Sequence, residues 1–175
     1  RALVDLGGAA PSPAEVLSLG ADVPVCLASR PARMRGVGGD IEPVPHLPPA
    51  HLVLVNPGVA VPTAQVFAAL NGADNTGMPA ALPEWSDTAD LVSWLSEQRK
   101  DLQTPATGIA PQIADVLTAL TRQPDCLLAR MSGSGATCFG LFATADQATK
   151  AAEILNAAHP TWWIAAAPVL GDDLS

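Results

Sequence analysis

Three stretches of this 175-residue chain carry residue types able to do chemistry. Met131-Ser132-Gly133-Ser134-Gly135-Ala136-Thr137 sets two glycines among three hydroxyl side chains. Glycine lets a backbone turn its N–H groups toward an anion, and Ser and Thr add donors. A hairpin turn of small residues explains the same letters, and the stretch by itself favours the turn. No Gly-Lys-Ser/Thr follows, so this is not a P-loop; a strand pattern follows where a dinucleotide fingerprint needs a helix. Leu19-Gly20-Ala21-Asp22-Val23-Pro24-Val25 places one carboxylate between a helix-ending glycine and an apolar run. An aspartate there can orient or deprotonate a hydroxyl. It can also be a plain turn or N-cap residue, which the local letters prefer. Asn56-Pro57-Gly58-Val59-Ala60-Val61-Pro62-Thr63 reads as a strand end, a proline-bracketed loop and a helix start, with Phe67 one turn on. That makes a rigid lip for a ligand. Thr63 offers a hydroxyl beside free helix N–H groups, and Phe67 can flank a base, although core packing is commoner for a lone phenylalanine.

The remaining reactive types point elsewhere. His46, His51 and His159 lack metal-ligand spacing, so no metal site is expected. Trp162-Trp163 in a strand sends one ring to each face, which fits packing better than a cofactor box. Cys26, Cys126 and Cys138 read as buried, reduced thiols of a cytoplasmic protein, not as a disulfide framework or a nucleophile with a paired histidine. With 49% apolar and 15% charged residues the chain reads as globular. Its net charge of -8, without a basic run, speaks against a nucleic-acid partner. No apolar run approaches the roughly 20 residues needed to span a bilayer, so no membrane partner is expected. The opening Arg1-Ala2-Leu3-Val4-Asp5-Leu6 is no signal peptide; it lacks a Met and reads as mid-helix.

The elements that must position these residues follow from local signals. Ser12-Pro13-Ala14-Glu15 is a capping box opening a short helix that stops at Gly20. Residues 23–29 read as a strand, 32–36 as the returning strand of a hairpin, and 36–40 as a loop. Four prolines within residues 42–49 mark a linker, and the domain boundary is placed there. Next come a strand at 51–56, a helix capped by Thr63 to about residue 70, and a loop over 71–84. Asp87 caps a helix with Leu91, Trp94 and Leu95 on one face; Ile109, Ile113, Val116, Leu117 and Leu120 repeat with helical spacing. Strands are expected at 126–131 and 137–143 around a tight loop at 132–135. Thr144-Ala145-Asp146-Gln147 is a second capping box, opening a helix to about 157, and a strand at 162–167 closes the chain. Without the inserted helices the order is β-α-β-β-α-β, the split-βαβ, ferredoxin-like arrangement.

In this order the stretches resemble the diphosphocytidyl-methylerythritol kinase family of the GHMP kinase superfamily, over essentially the whole chain. Leu19 through Leu27 looks like that family's catalytic-aspartate segment. Arg35-Gly36-Val37-Gly38-Gly39-Asp40 resembles its next loop, with Asp40 where the family usually has Glu. Val55-Asn56-Pro57-Gly58, Thr63 and Phe67 resemble its substrate-binding strand and helix. Met131 through Gly140 is similar to the third GHMP motif. Four collinear matches are more specific than any one. Lys100-Asp101-Leu102 departs from the Asn-Asp-Leu common in relatives.

The resemblance implies an α+β GHMP kinase architecture: a remnant of an S5-like N-terminal, nucleotide-binding domain over residues 1–48, then a ferredoxin-like C-terminal domain with inserted helices over 49–175. It implies ATP-dependent phosphorylation of the 2-hydroxyl of 4-diphosphocytidyl-2-C-methyl-D-erythritol in the non-mevalonate isoprenoid route, with Mg²⁺ as the counter-ion of ATP. Asp22 inherits the general-base role. Thr63, Phe67, Pro57 and Gly58 inherit substrate contacts, and Ser132, Gly133, Ser134, Gly135, Ala136 and Thr137 the loop shaped around phosphates. The family's N-terminal lysine, aromatic cytidine pocket and ATP loop fall ahead of Arg1. The resemblance therefore implies an N-terminal half as partner, and no turnover by these residues alone. Two other readings stay open: another GHMP kinase, of homoserine or mevalonate type, and a non-catalytic ferredoxin-like binding module.

Overall fold

The structure is a computed structural model and describes residues 12–20, 22–36, 40–70, 72 and 75–171. Two compact units share the chain, one drawn from residues 1–47, 82–84 and 170–175, the other from 48–81 and 85–169.

In the first unit, α1 (Pro13–Ser18) starts at the expected capping box: Ser12 Oγ accepts from the Glu15 amide at 3.3 Å, and Glu15 Oε2 accepts from the Ser12 amide at 2.8 Å. The run after Asp22 is not a strand. It is helix α2 (Val23–Ala28), with Asp22 at its N-cap and Ser29, at φ 49°, ending it in the left-handed region. Pro24 explains the outcome, because a proline in the first helical turn has its φ pre-set and loses no hydrogen bond. Over so short an apolar run, periodicity does not separate strand from helix. Cys26 is consequently exposed, against the expectation of a buried thiol. Strand β1 (Ala32–Arg35) pairs antiparallel with β2 (Asp40–Pro43), Arg35 opposite Asp40. The hairpin thus leaves from residues 32–35 rather than returning there, and Glu42 belongs to a strand, where it pairs with Arg35 at 3.2 Å. Pro43 closes the strand, where its missing N–H is tolerated. Residues 1–11 and the turn residues 37–39 of the expected loop lie outside the described residues.

The second unit holds nearly all of the described core. Its four-stranded sheet is built from β3 (His51–Asn56), β4 (Leu128–Met131), β5 (Cys138–Phe142) and β6 (Trp163–Pro168), in the order β4-β5-β3-β6. Every neighbouring pair is antiparallel, so β3 and β4 run parallel with β5 between them. This is the split-βαβ order expected from the sequence. Alternation puts Val53 and Val55 at 0% exposure in the central strand. Helix α3 (Thr63–Ala68) follows β3, then α4 (Thr88–Glu97), α5 (Gln103–Ile109), α6 (Gln112–Thr121) and, after β5, α7 (Ala145–Ala158). Ala148, Ala151, Ala152 and Leu155 form the buried stripe of α7, and small side chains let it lie close to the sheet. Ile113, Val116 and Leu120 do the same for α6 against β4 and β5.

Three local expectations differ from the result. Pro62, not Thr63, is the N-cap of α3, which moves Thr63 into the first turn and frees its hydroxyl for another partner. The helical spacing from Ile109 to Leu120 breaks at Ala110 (φ −131°, ψ 88°), because a residue before proline is pushed out of the α region, and Pro111 follows. Ile109 therefore ends α5, a helix that carries no capping residue and was missed. Cys126 precedes β4 and is half-buried, whereas Cys138 is fully buried.

Candidate functional site

The site is built where β3 ends. The Asn56 side chain works in both directions: Oδ1 accepts from the Gly58 amide at 2.8 Å, closing a turn, while Nδ2 donates to Thr137 Oγ1 at 2.9 Å. Gly58 sits at φ 76°, as that turn requires. Past the loop, exposed Thr63 at the start of α3 places its Oγ1 2.8 Å from Ser134 Oγ. Two segments separated by 71 and 81 residues are thereby stitched together by three side-chain hydroxyls and one amide.

The Gly-rich loop is held at its base by the Ser132 amide donating to the Thr137 carbonyl at 2.8 Å, and within by the Gly135 amide donating to the Ser132 carbonyl at 3.0 Å. Gly133 (φ 53°) and Gly135 (φ 89°) both take left-handed backbone. They differ in surroundings. A Cβ on Gly135 would sit 3.0 Å from Met131 Sδ and 3.1 Å from Ile113 Cδ1, whereas one on Gly133 would meet nothing within 4 Å. The Gly133 and Ser134 amides have no hydrogen-bond partner among the described residues, so two donors on an open loop are free for an acceptor. Ala136, next in the loop, is buried and anchors it to the core.

The other sequence-derived candidates are placed as follows. Phe67 is 55% exposed on α3, not packed in the core. Pro57 is half-buried beside exposed Gly58. Asp22 belongs to the first unit; it is exposed, and its carboxylate does not cap the helix it precedes. His159 stacks on Trp162 with ring centroids 3.8 Å apart; Trp162 precedes β6 and packs half-buried against the core, so it does not share the strand with Trp163, which begins β6 and is exposed. Among the described residues no group of three or more His, Cys, Asp or Glu could hold a metal ion, and no helix is long and apolar enough to cross a membrane.

Sequence reasoning missed a charged feature on the loop's other flank. A cavity of about 310 Å³ is lined by Arg99, Lys100, Asp101, Leu102, Gln103, Arg130, Met131, Gly133 and Phe139. Arg130, on β4, is 7% exposed and is the buried charged side chain of the described residues. Its Nη2 donates to the Leu95 and Gln98 carbonyls at the end of α4; the Leu95 carbonyl also accepts from the Gln98 amide, while the Gln98 carbonyl is an acceptor the helix leaves open. Burial holds the Arg130 guanidinium below its ordinary pKa; partial burial, and then Arg130 itself, do the same to Lys100. The available signal was a single arginine inside the apolar run of residues 127–131.

Comparison with known proteins agrees with the topology. Residues 80–161 match the family described as GHMP kinases C terminal. The chain is 56% identical over 162 residues to the 4-diphosphocytidyl-2-C-methyl-D-erythritol kinase of Cereibacter sphaeroides, covering 92% of this chain and 58% of that protein. It is 54% identical over 165 residues to the protein of the same name from Dinoroseobacter shibae, covering 94% and 54%. The chain thus spans between half and two thirds of the curated relatives it matches. A crystal structure of 4-(cytidine 5'-diphospho)-2C-methyl-D-erythritol kinase superposes with a TM-score of 0.69 at 32% identity, covering 97% of this chain and 62% of that one. A homoserine kinase from Cytophaga hutchinsonii gives a TM-score of 0.53 at 15% identity, covering 80% and 48%, a likeness of fold alone.

Proposed function

We propose, on the premise that the chain belongs to the GHMP kinases, that it forms part of an ATP-dependent kinase for the 2-hydroxyl of 4-diphosphocytidyl-2-C-methyl-D-erythritol. The pathway is the non-mevalonate route to isoprenoid precursors, in the cytoplasm. The remainder of the kinase, an N-terminal half that supplies the ATP loop, is the expected partner. Residues 1–48 would complete that nucleotide-binding domain, and residues 49–175 form the C-terminal domain.

One observation carries the reading: the Thr63–Ser134 and Asn56–Thr137 hydrogen bonds join the substrate-type lip to the Gly-rich loop. A turn of small residues does not require that partnership. Phosphoryl transfer asks little covalent chemistry of the protein; it asks for positioning and for neutralising charge. The loop fits a phosphate, since Gly133 leaves its outer face open and the Gly133 and Ser134 amides are free donors. ATP would supply the phosphoryl group, with Mg²⁺ as its counter-ion. This chain's residues would do the rest. Asp22 takes the proton of the attacking hydroxyl. Thr63 presents its hydroxyl to the substrate, Phe67 flanks the base, and Pro57 with Gly58 keeps the lip rigid. Ser132, Gly133, Ser134, Gly135, Ala136 and Thr137 cradle the phosphates.

The test is a coupled ADP-release assay on the full-length protein, run with the diphosphocytidyl alcohol and with homoserine and mevalonate as controls. Turnover confined to the first alcohol is expected. Asp22→Asn keeps the shape and an oxygen that can accept a hydrogen bond but takes no proton, so its kcat should fall by about 10²-fold or more. Near-normal kcat in that variant would remove Asp22 from the mechanism, and preference for another alcohol would overturn the substrate. The 175-residue chain alone should release no ADP.

A further inference from the structure

The cavity on the far flank of the Gly-rich loop is absorbed by none of these roles. Its chemistry begins with Arg130, which is 93% withdrawn from solvent yet leaves Nε without a hydrogen-bond partner. Among the described residues no carboxylate forms a salt bridge with it. A buried charge without a counter-ion is costly, normally by several kcal/mol. Lys100 stands close enough to Arg130 to feel its charge, which adds like-charge repulsion. Asp101, the acid of the wall, is already committed: it accepts from Arg99 at 2.8 Å and from Asn75 Nδ2 at 3.2 Å. The lining residues therefore carry a net charge of two positive within a chain of net charge -8.

We propose that this cavity binds a small phosphate ester, its phosphoryl group held by Arg130 and Lys100 and its short apolar part lying against Leu102, Met131 and Phe139. The site goes beyond the kinase reading and needs neither Asp22 nor the hydroxyl seam. Three features select this ligand class. At about 310 Å³ the space equals roughly ten waters at about 30 Å³ each, more than one bare oxyanion fills. A phosphate monoester carries about −1.5 to −2 charges, the amount two cations balance, whereas a carboxylate supplies one. Tetrahedral oxygens also accept from a guanidinium and an ammonium that approach from different sides, while a carboxylate favours one planar fork.

Calorimetric titration of the 175-residue chain with inorganic phosphate, phenyl phosphate and benzoate tests the proposal. Phenyl phosphate is expected to bind about tenfold more tightly than phosphate, a difference of about 1.4 kcal/mol for the apolar part, and benzoate more weakly than either. Raising salt from about 0.05 to 0.2 M should weaken phenyl phosphate severalfold, since the contact is charge-based. Lys100 is exposed, so Lys100→Met should leave the fold intact and cost at least fivefold in affinity; Arg130→Lys, checked for folding by circular dichroism, should cost as much or more. Unchanged affinity in a folded Lys100→Met protein would move the ligand out of this cavity. Benzoate binding as tightly as phenyl phosphate would overturn the ligand class. No detectable heat with phenyl phosphate into the millimolar range would end the proposal outright. A failure of ADP release in the full-length protein, by contrast, leaves it untouched.

Discussion

The Gly-rich loop borders two regions of opposite character. Toward α3, every interaction is between neutral groups: Thr63 with Ser134, Asn56 with Thr137 and with the Gly58 amide. The side-chain donors and acceptors there are paired with one another or with backbone, and the region fixes shape. Toward the turn between α4 and α5, Arg130 is paired only in part, with two helix-end carbonyls and, among the described residues, no acid. A satisfied neutral network specifies geometry at modest energy, because each net hydrogen bond contributes about 1 kcal/mol. An incompletely compensated charge stores a preference for a ligand instead. The neutral flank should therefore respond to shape changes and ignore salt, while the charged flank should respond to salt and to anions.

The largest expected effect lies on the charged flank. Arg130→Ala strips the Gln98 carbonyl of its donor, leaves the Leu95 carbonyl with the Gln98 amide alone, and removes a packed side chain, so a loss of about 3 kcal/mol is expected in urea unfolding. A loss under about 1 kcal/mol would mean that the guanidinium is not integral to the end of α4. Gly135→Ala comes next on the neutral flank. It forces an L-residue to φ 89° with its Cβ against Met131 and Ile113, so about 2 kcal/mol should be lost, against about 1 kcal/mol for Gly133→Ala in open space. Equal costs at the two positions would contradict the loop geometry.

The pH response probes the core under the neutral flank. Burial pushes the Cys138 thiol from 9.0 up to about 12. Between those values the unfolded chain has released this proton and the folded chain has not. Folded protein then binds more protons, so stability falls as pH rises through that window and is whole below it. At pH 10 the loss from this group should be about 1.4 kcal/mol, and Cys138→Ala should flatten the decline; Cys126, also raised by burial, acts in the same direction. With no tyrosine in the chain, fewer groups titrate there to obscure the effect. The smallest effect belongs to the Thr63–Ser134 bond. A double-mutant cycle of Thr63→Val and Ser134→Ala should give a coupling of about 0.5 kcal/mol that does not change with salt. A salt-dependent coupling would erase the distinction between the flanks.

Where the reading from sequence succeeded, a single turn of chain held the whole signal. The capping boxes at Ser12 and Thr144 and the Asp87 cap form with partners three residues away, so their letters suffice. The alternation in residues 51–56 and the Gly-rich loop between two apolar runs are also short-range signals, and the β-α-β-β-α-β order of the strands and flanking helices after residue 50 agrees with the sheet topology. Where it failed, the decision was close or distant. Residues 23–28 are too short for periodicity to choose between strand and helix, and the proline in the first turn tipped the balance. Pro111 broke what looked like one helix.

What the chain's letters determined by themselves was the set of parts: which residues cap, which alternate, and which carry hydroxyls, amides or a lone carboxylate. What only the tertiary structure decided was their company. Thr63 meets Ser134 across 71 residues, Asn56 meets Thr137 across 81, and Arg130 reaches the end of α4 across 32 and 35. No local pattern encodes such meetings. They arise because β3, β4 and β5 lie side by side in one sheet, and burying Val53, Val55, Cys138 and Phe142 in a common core fixes where every strand end must fall.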